Sequence, residues 1–425
     1  MQQQISRELA DIIVDPKAYS ALTPVDAAFS QIRRDAPIGR AQPTNYDPFW
    51  VISGHADILD IERRADVFHN ADRSTLLIDR DAAAAVGIFS GGEQNLIRSL
   101  VSVDGAEHKA LRGVTFPSFT PQNIRKLEEK VRTIAREFVD RLEDFGGECD
   151  FAKDFAFLYP LRVIMTVLGV PAEDEALMLQ LTQEIFSGND PDLNRSGKPV
   201  TPLEAQEAFN QTMLDLEAYF GEVTRRFREK PQDNINSLIA NARINGEYLT
   251  HRQLMGYYII AATAGHDTTS NTTASALWAV AERPELFASL KQQSELMSGF
   301  IEESIRWATP VKHFMRSATQ DTEVSGTRIA AGDWIMLSYH SANRDETVFD
   351  RPFDFDPTRQ PNRQVAFGYG AHVCLGQHLA RLEMRVLWEE LFPRIKTLEL
   401  AGEPKLTQSN FVCGPKAVPI RFKLA

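Results

Sequence analysis

Three features of this 425-residue chain predict a mainly α-helical fold with small peripheral β-sheets. Apolar residues recur at helical spacing over several long stretches, alternating runs are few and short, and no repeat or long linker divides the chain. With 43% hydrophobic and 24% charged residues, the composition is that of a globular protein and excludes disorder or a collagen-like repeat. The chain reads as one domain over residues 1–425.

Taken in order, residues 50–52 (Trp, Val, Ile) form the first predicted strand. Thr120 as N-cap and Pro121 at the first helical position open a helix. Along it Ile124, Leu127, Val131, Ile134, Phe138 and Leu142 share a face until Gly146 and Gly147 end it. Residues 189–201, rich in Pro, Asp, Asn, Ser and Gly, read as a mobile loop between helices. Thr250 and Gln253 have capping-box spacing and open a helix that ends before Pro284. At about 1.5 Å per residue it spans roughly 45–50 Å, enough to cross the whole molecule. Its centre is weak by propensity: Gly265 is followed by Asp267, Thr268, Thr269, Ser270, Asn271, Thr272 and Thr273, yet both flanks are apolar. A helix over 301–307 stops near Pro310. Thr322–Val324 and Thr327–Ile329 pair as a hairpin across Ser325 and Gly326. Residues 334–338 and 418–422 are further strands, and a helix over 376–391 is halted by Pro393.

A net charge of −12 disfavours general binding to nucleic acid or to anionic membranes. Cys149, Cys374 and Cys413 lie far apart, so neither a disulfide framework nor a paired zinc motif is present. Reduced thiols and a cytoplasmic location follow. No signal-peptide core opens the chain, and its longest apolar run, 257–264, is far shorter than the roughly 18–20 residues of a membrane span. Neither a nucleic-acid nor a membrane partner is expected.

The densest cluster of telling residues is Phe367, Gly368, Gly370, His372, Cys374 and Gly376. The glycines let the backbone turn tightly beneath a flat ligand and approach it closely. A helix starts directly after Cys374, so its amides and dipole favour a thiolate there. A thiolate held against a planar surface suits an axial ligand of heme iron.

This segment resembles the cysteine-loop signature of the cytochrome P450 family, and the likeness runs from about residue 46 to the C-terminus. Residues 314–316, 341–346 and 375–380 are similar to the bacterial branch that hydroxylates monoterpene alcohols such as alpha-terpineol. Residues 74–101, which roof the substrate pocket in the family, are less similar. The resemblance implies the family's fold, a single catalytic domain with heme b between the long central helix and the cysteine loop. It implies Cys374 as the iron ligand, Phe367 and Gly368 as heme contacts, and His108, Arg112, Arg316 and His372 as partners of the two propionates. His108 and Arg112, four residues apart, share a helix face, and the arginine fork suits a carboxylate. Glu303, Arg306 and Arg359 match the buried network that pins the cysteine loop in the family.

Residues 264–269 resemble the family's oxygen-activation segment. A Thr268 hydroxyl bonded back to the Ala264 carbonyl would loosen the helix. In that segment Thr268 steers protonation and Asp267 relays protons from solvent. Val101, Ile260, Thr263, Ala264 and Val311 fall at substrate-pocket positions. Small or apolar, they fit a compact monoterpenoid, alicyclic or alkyl-aromatic hydrocarbon.

The implied activity is hydroxylation with O2 and electrons from a 2Fe-2S ferredoxin fed by an NAD(P)H-dependent reductase. A peroxide-driven hydroxylase and a non-catalytic heme-bound carrier or sensor of hydrophobic ligands stay open as alternatives. Asp267 and Thr268 weigh against the peroxide route, which need not protonate reduced dioxygen. Two-iron ferredoxins of this kind are acidic like the chain itself, so docking calls for a local basic patch on the cysteine side. Arg112, Arg363, His378 and Arg381 are its candidates.

Overall fold

The computed structural model describes residues 3–95, 97–186, 190–199 and 202–425. Seven helices frame the site: α1 (His55–Arg63), α2 (Gly105–Thr115), α3 (Glu175–Phe186), α4 (His251–Ala264), α5 (Asp267–Ala281), α6 (Leu296–Ala308) and α7 (Gln377–Arg394). Five strands form the largest sheet: β1 (Ile38–Ala41), β2 (Phe49–Ile52), β3 (Phe68–His69), β4 (His313–Ala318) and β5 (Trp334–Ser338). Their order is β1-β2-β5-β4-β3, with β2 and β5 parallel and the other pairs antiparallel. Alternation along these strands buries both faces. Phe49, Val51, Met315, Trp334 and Met336 join one core cluster, whereas Trp50, Ile52, Ile335 and Leu337 join another. The remaining sheets are small and separate.

The larger core is helical. Val131, Ile134 and Phe138 of the helix Glu128–Asp140 pack with Phe151, Phe155 and Tyr159 and with Trp388 of α7. Through this mass runs α5, buried on nearly every side, including its Ser270, Asn271, Thr272 and Thr273. No helix among the described residues is long and apolar enough to cross a membrane.

Several boundaries differ from the sequence expectation. The helix expected over 250–283 is two helices, α4 and α5, separated by a turn at Gly265 and His266. The capping box at Thr250 and Gln253 is present. The helix expected from Thr120 breaks near Lys126 into Pro121–Arg125 and Glu128–Asp140. Thr120 does not cap it; its hydroxyl donates to the Pro117 carbonyl at 3.1 Å. Pro393 lies inside the last turn of α7, where its missing N–H costs one bond too late to stop the helix earlier. The helix foreseen at 301–307 begins earlier, as α6. Of the loop expected at 189–201, positions 189, 200 and 201 lie outside the described residues, and 190–199 form turns.

The segment leading to Cys374 is fixed by α6. Arg306 and Glu303 are both wholly buried, with the guanidinium bidentate on the carboxylate at 2.7 and 2.8 Å. Arg306 also donates to the carbonyls of Asn343 at 2.8 Å, Pro352 at 2.7 Å and Asp354 at 3.1 Å. Arg359 reaches the same carboxylate at 3.3 Å. Asn343 accepts from the Val365 amide at 2.8 Å, three residues before Gly368. Removing one member of such a pair leaves a buried charge and costs about 3–5 kcal/mol, a large part of the roughly 5–15 kcal/mol holding a domain together. Glu303→Ala and Arg306→Ala should therefore each give little soluble protein, with a lowered denaturation midpoint in whatever is recovered. A midpoint equal to that of the parent chain would contradict this role.

Candidate active site

The loop carrying Cys374 closes when the Cys374 amide donates to the Phe367 carbonyl at 2.8 Å. Gly370 makes the turn possible: its φ is +67°, and a side chain there would run into the backbone carbonyl of Glu62 in α1. Because α7 begins at Gln377, the amides of Gly376 and Gln377 bond the Cys374 sulfur and pull its pKa down. The guanidiniums of Arg112 and Arg381 do the same, but burial is the largest influence and leaves the thiol above its ordinary value. The amides at the start of α7 thus favour the thiolate, as the sequence leads one to expect, against the cost of burial. A cation at the sulfur has to supply the rest, as coordinating metal ions do.

The opposing wall is the central helix. Ile260, Ala264 and Thr268 follow one another at four-residue intervals on one face, with Ala261 beside them. Ala264 is exposed and the other three half-buried, although Ala262, Thr263, His266 and Asp267 around them are buried. Thr263 is corrected here. It is 1% exposed and its hydroxyl donates to the Ile259 carbonyl, so it presents no surface to this face.

Two elements join the walls. Along one edge runs α2, whose Leu111 carbonyl accepts from Tyr257 of α4 at 3.1 Å, while its Arg112 donates to the Val373 carbonyl at 2.7 Å. At the other edge Glu62 of α1 accepts from the Tyr339 hydroxyl at 2.6 Å and pairs with Arg316 of β4 at 3.3 Å. Between them the remaining expected pocket positions stay accessible: Ala264 is exposed and Val101, Ile260 and Val311 are half-buried, as are Ala261, Phe314 and Phe411. The sequence did not single out Ala261 or Phe411, and it marked Phe314 only as part of a similar segment. The two phenylalanine rings meet edge to face, 5.3 Å apart.

Polar groups gather at the rims. The rings of His108 and His372 lie 4.0 Å apart. Burial pushes His108 down to about 4 and lowers His372 as well, so both are neutral near pH 7. His372 faces Asp104 at 3.4 Å, and His108 Nε2 is buried with no partner. Arg316, placed at a propionate from sequence, is turned toward Glu62 and its own strand, with one nitrogen on the Met315 carbonyl. Burial raises the Glu62 pKa, and its Oε2 has no partner. At the helix break the Thr268 hydroxyl donates to the Ala264 carbonyl at 2.8 Å. Asp267 is buried, which raises its pKa against the pull of His266 3.3 Å away. It therefore has no direct opening to solvent. A separate cavity of about 380 Å³ near the N-terminus shares no residue with this site, and its Arg7 and Arg80 are already paired with Asp11 and Asp47.

The sequence matches the profile of the cytochrome P450 family over residues 67–422. It is 45% identical to cytochrome P450-terp of a Pseudomonas species over 422 residues, covering 99% of both chains. It is 29% identical to linalool 8-monooxygenase of Pseudomonas putida, covering 95% of this chain and 96% of the relative. The crystal structure of CYP108D1 from Novosphingobium aromaticivorans superposes over 100% of both chains with a TM-score of 0.92 and 42% identity.

The cofactor of that family is heme b, bound through a thiolate, and the residues present fit it. The macrocycle would lie between the cysteine loop and the central helix, against accessible apolar side chains and the half-buried Cys374 thiol. The orphaned His108 Nε2 and the remaining guanidinium hydrogens of Arg112 suit carboxylates at the rim. Gly370→Ala should lower the heme content of purified protein and weaken the spectroscopic signature of thiolate ligation. Gly221→Ala, where an added Cβ meets nothing, is the control and should keep both.

Proposed function

Since this chain belongs to the cytochrome P450 family and is a monooxygenase, we propose that it hydroxylates a compact, uncharged monoterpenoid or similar alicyclic or alkyl-aromatic hydrocarbon. It does so in the cytoplasm, as a single catalytic domain, with electrons from a 2Fe-2S ferredoxin and its NAD(P)H-dependent reductase. The substrate class rests on the accessible residues at and near the expected pocket positions: Val101, Ile260, Ala261, Ala264, Val311, Phe314 and Phe411 are all uncharged. A relative named for linalool supports the same class.

Bound heme supplies the dioxygen chemistry, tuned by its thiolate ligand. Cys374 would hold the iron, Phe367 and Gly368 would border the macrocycle, and His108, Arg112, Arg316 and His372 would meet the carboxylates. For Arg316 this means sharing its guanidinium with Glu62. The remaining work is proton handling. Thr268 Oγ–H rests on the Ala264 carbonyl, and a rotation about χ1 would free it to give its proton. Asp267, next in line, resupplies the proton that Thr268 gives. Thr268→Ala should keep the spectral shift caused by an apolar ligand but lose most product formed per NADH consumed. Asp267→Asn should slow turnover by about 10²-fold, the lower range for general acid–base groups. Full coupling in Thr268→Ala would exclude this role for the hydroxyl.

Among the candidate docking residues, Arg363 is exposed and forms no ion pair among the described residues. Arg381 is paired with Glu302 at 2.5 Å and stacked on Phe367, Arg112 is committed to Val373, and His378 is half-buried. Arg363 is thus the group with charge to spare on this face. Reduction by an acidic ferredoxin should slow with added salt as the screening length falls from ~10 Å at 0.1 M to ~3 Å at 1 M. Arg363→Glu should lower the reduction rate and leave ligand binding alone. A salt-independent rate, unchanged in that variant, would count against electrostatic docking here.

A further inference from the structure

One side chain holds the break between α4 and α5. His266 is 0% exposed, and both of its ring nitrogens have partners. Nε2 lies 2.8 Å from the Phe157 carbonyl oxygen. A carbonyl only accepts, so Nε2 carries a hydrogen. Nδ1 faces two oxygens, Thr182 Oγ at 3.1 Å and Asp267 Oδ1 at 3.3 Å. A bare Nδ1 against an ionised carboxylate would set two acceptors against each other in a buried place, which is costly. Either Asp267 is protonated and donates to Nδ1, or Nδ1 carries a hydrogen and donates to the carboxylate. In both states one proton belongs to the pair. Thr182 fits the second state best: its hydroxyl accepts from Nδ1–H, alongside Asp267 Oδ1, while donating to the Leu179 carbonyl 3.1 Å away, whereas in the first state it would compete with Asp267 for the single Nδ1 lone pair.

The second carboxyl oxygen, Asp267 Oδ2, is buried without a partner. Beside Asp267 is a cavity of about 10 Å³, whose wall includes Gln183, Asn271 and Thr407. That is the lower bound for holding one water, and those three side chains give it polar walls. Thr182 and Gln183 are consecutive on α3, so one turn of that helix both tethers the imidazole and lines the cavity.

We propose that His266 is a positioning residue for proton delivery: it shares one proton with Asp267 through Oδ1, leaves Oδ2 as the exchanging oxygen at the cavity, and is held in orientation by Thr182 of α3. The inference rests on the roles of Asp267 and Thr268 proposed above. It makes the proton-supplying carboxyl sensitive to the position of α3, because displacing that helix removes the Thr182 bond and opens the cavity together.

The test is infrared difference spectroscopy of resting, heme-loaded protein, with the Asp267 bands isolated by subtracting Asp267→Asn. His266→Phe should shift those bands. Thr182→Val, nearly the same shape without the hydroxyl, should shift them in the same direction by less. Both variants should form less product per NADH consumed while the ligand-induced spectral shift stays as in the parent. Because Thr182→Val touches neither Asp267 nor Thr268, it decides the question even where His266→Phe folds poorly. Asp267 bands unmoved in both variants would overturn the proposal, as would unchanged coupling in both. If Thr268→Ala and Asp267→Asn stay fully coupled, the underlying reading fails instead, and the infrared shift judges the shared proton on its own.

Discussion

A guanidinium with no exposure must have every donor met inside the protein, and the rest of this site depends on how Arg306 meets that demand. Its five N–H groups are spent on two Glu303 oxygens and on the carbonyls of Asn343, Pro352 and Asp354. Glu303 is equally committed: beyond Arg306 it accepts from the Asp356 amide, Asn362 and Arg359. Burying such ions costs several kcal/mol each unless their geometry and remaining hydrogen bonds are complete. The network therefore forms as a whole, and it draws residues 343–362 into one shape. From there Asn343 passes the constraint to Val365, whose carbonyl takes the Gly368 amide and so sets the loop that presents Cys374.

What the sequence revealed was local chemistry. The hairpin at Ser325 and Gly326 was legible because both residues take positive φ, a requirement met within the turn itself. The capping box at Thr250 and Gln253 was equally self-contained. The break in the central helix was half-legible. Weak propensity marked the region, but its exact place is set by the His266 ring, whose partners Phe157 and Thr182 lie 109 and 84 positions away. Glu62 was invisible for the same reason, since it meets Arg316 across 254 positions and carries no motif of its own. Phe314 could have been found: strand alternation places it on the same face as Arg316. Thr263 was misplaced because adjacency to Ala264 in sequence is a rotation of about 100° on a helix, away from that residue's face.

Electrostatics at the site follow burial more than charge count. The chain carries −12 overall, yet the rim presents neutral imidazoles and arginines, because burial holds His108 and His372 unprotonated. A neutral imidazole still donates one hydrogen, which is what a carboxylate at the rim would use, and it avoids placing further cations beside Arg112. Burial acts on Cys374 in the opposite chemical sense, favouring the neutral thiol until a metal cation is present. The donors around the sulfur have to suit both of its protonation states. Amides from Gly376 and Gln377 do so, since they bond a sulfur atom whether or not it is ionised.

The two walls of the site are built on opposite terms. On the cysteine side the loop's own hydrogen-bonding capacity is largely used: the Arg306 donors are met, the Gly368, Val373 and Cys374 amides are bonded within the loop, and Gly370 fits only without a side chain. Such a wall has one arrangement, which suits a ligand held for the life of the protein. On the central-helix side capacity is left over. Asp267 Oδ2, Ser270 Oγ and Thr273 Oγ are buried with no partner, and the Thr268 hydroxyl satisfies only a carbonyl of its own helix. Unmet polar atoms in a core are a standing cost, and a fold retains them where they serve chemistry. Here they lie on α5, the helix that carries Asp267 and Thr268. Under the function proposed above, the rigid wall would fix the position of the reaction, and the unsatisfied helix would keep donors and acceptors free to exchange protons during it.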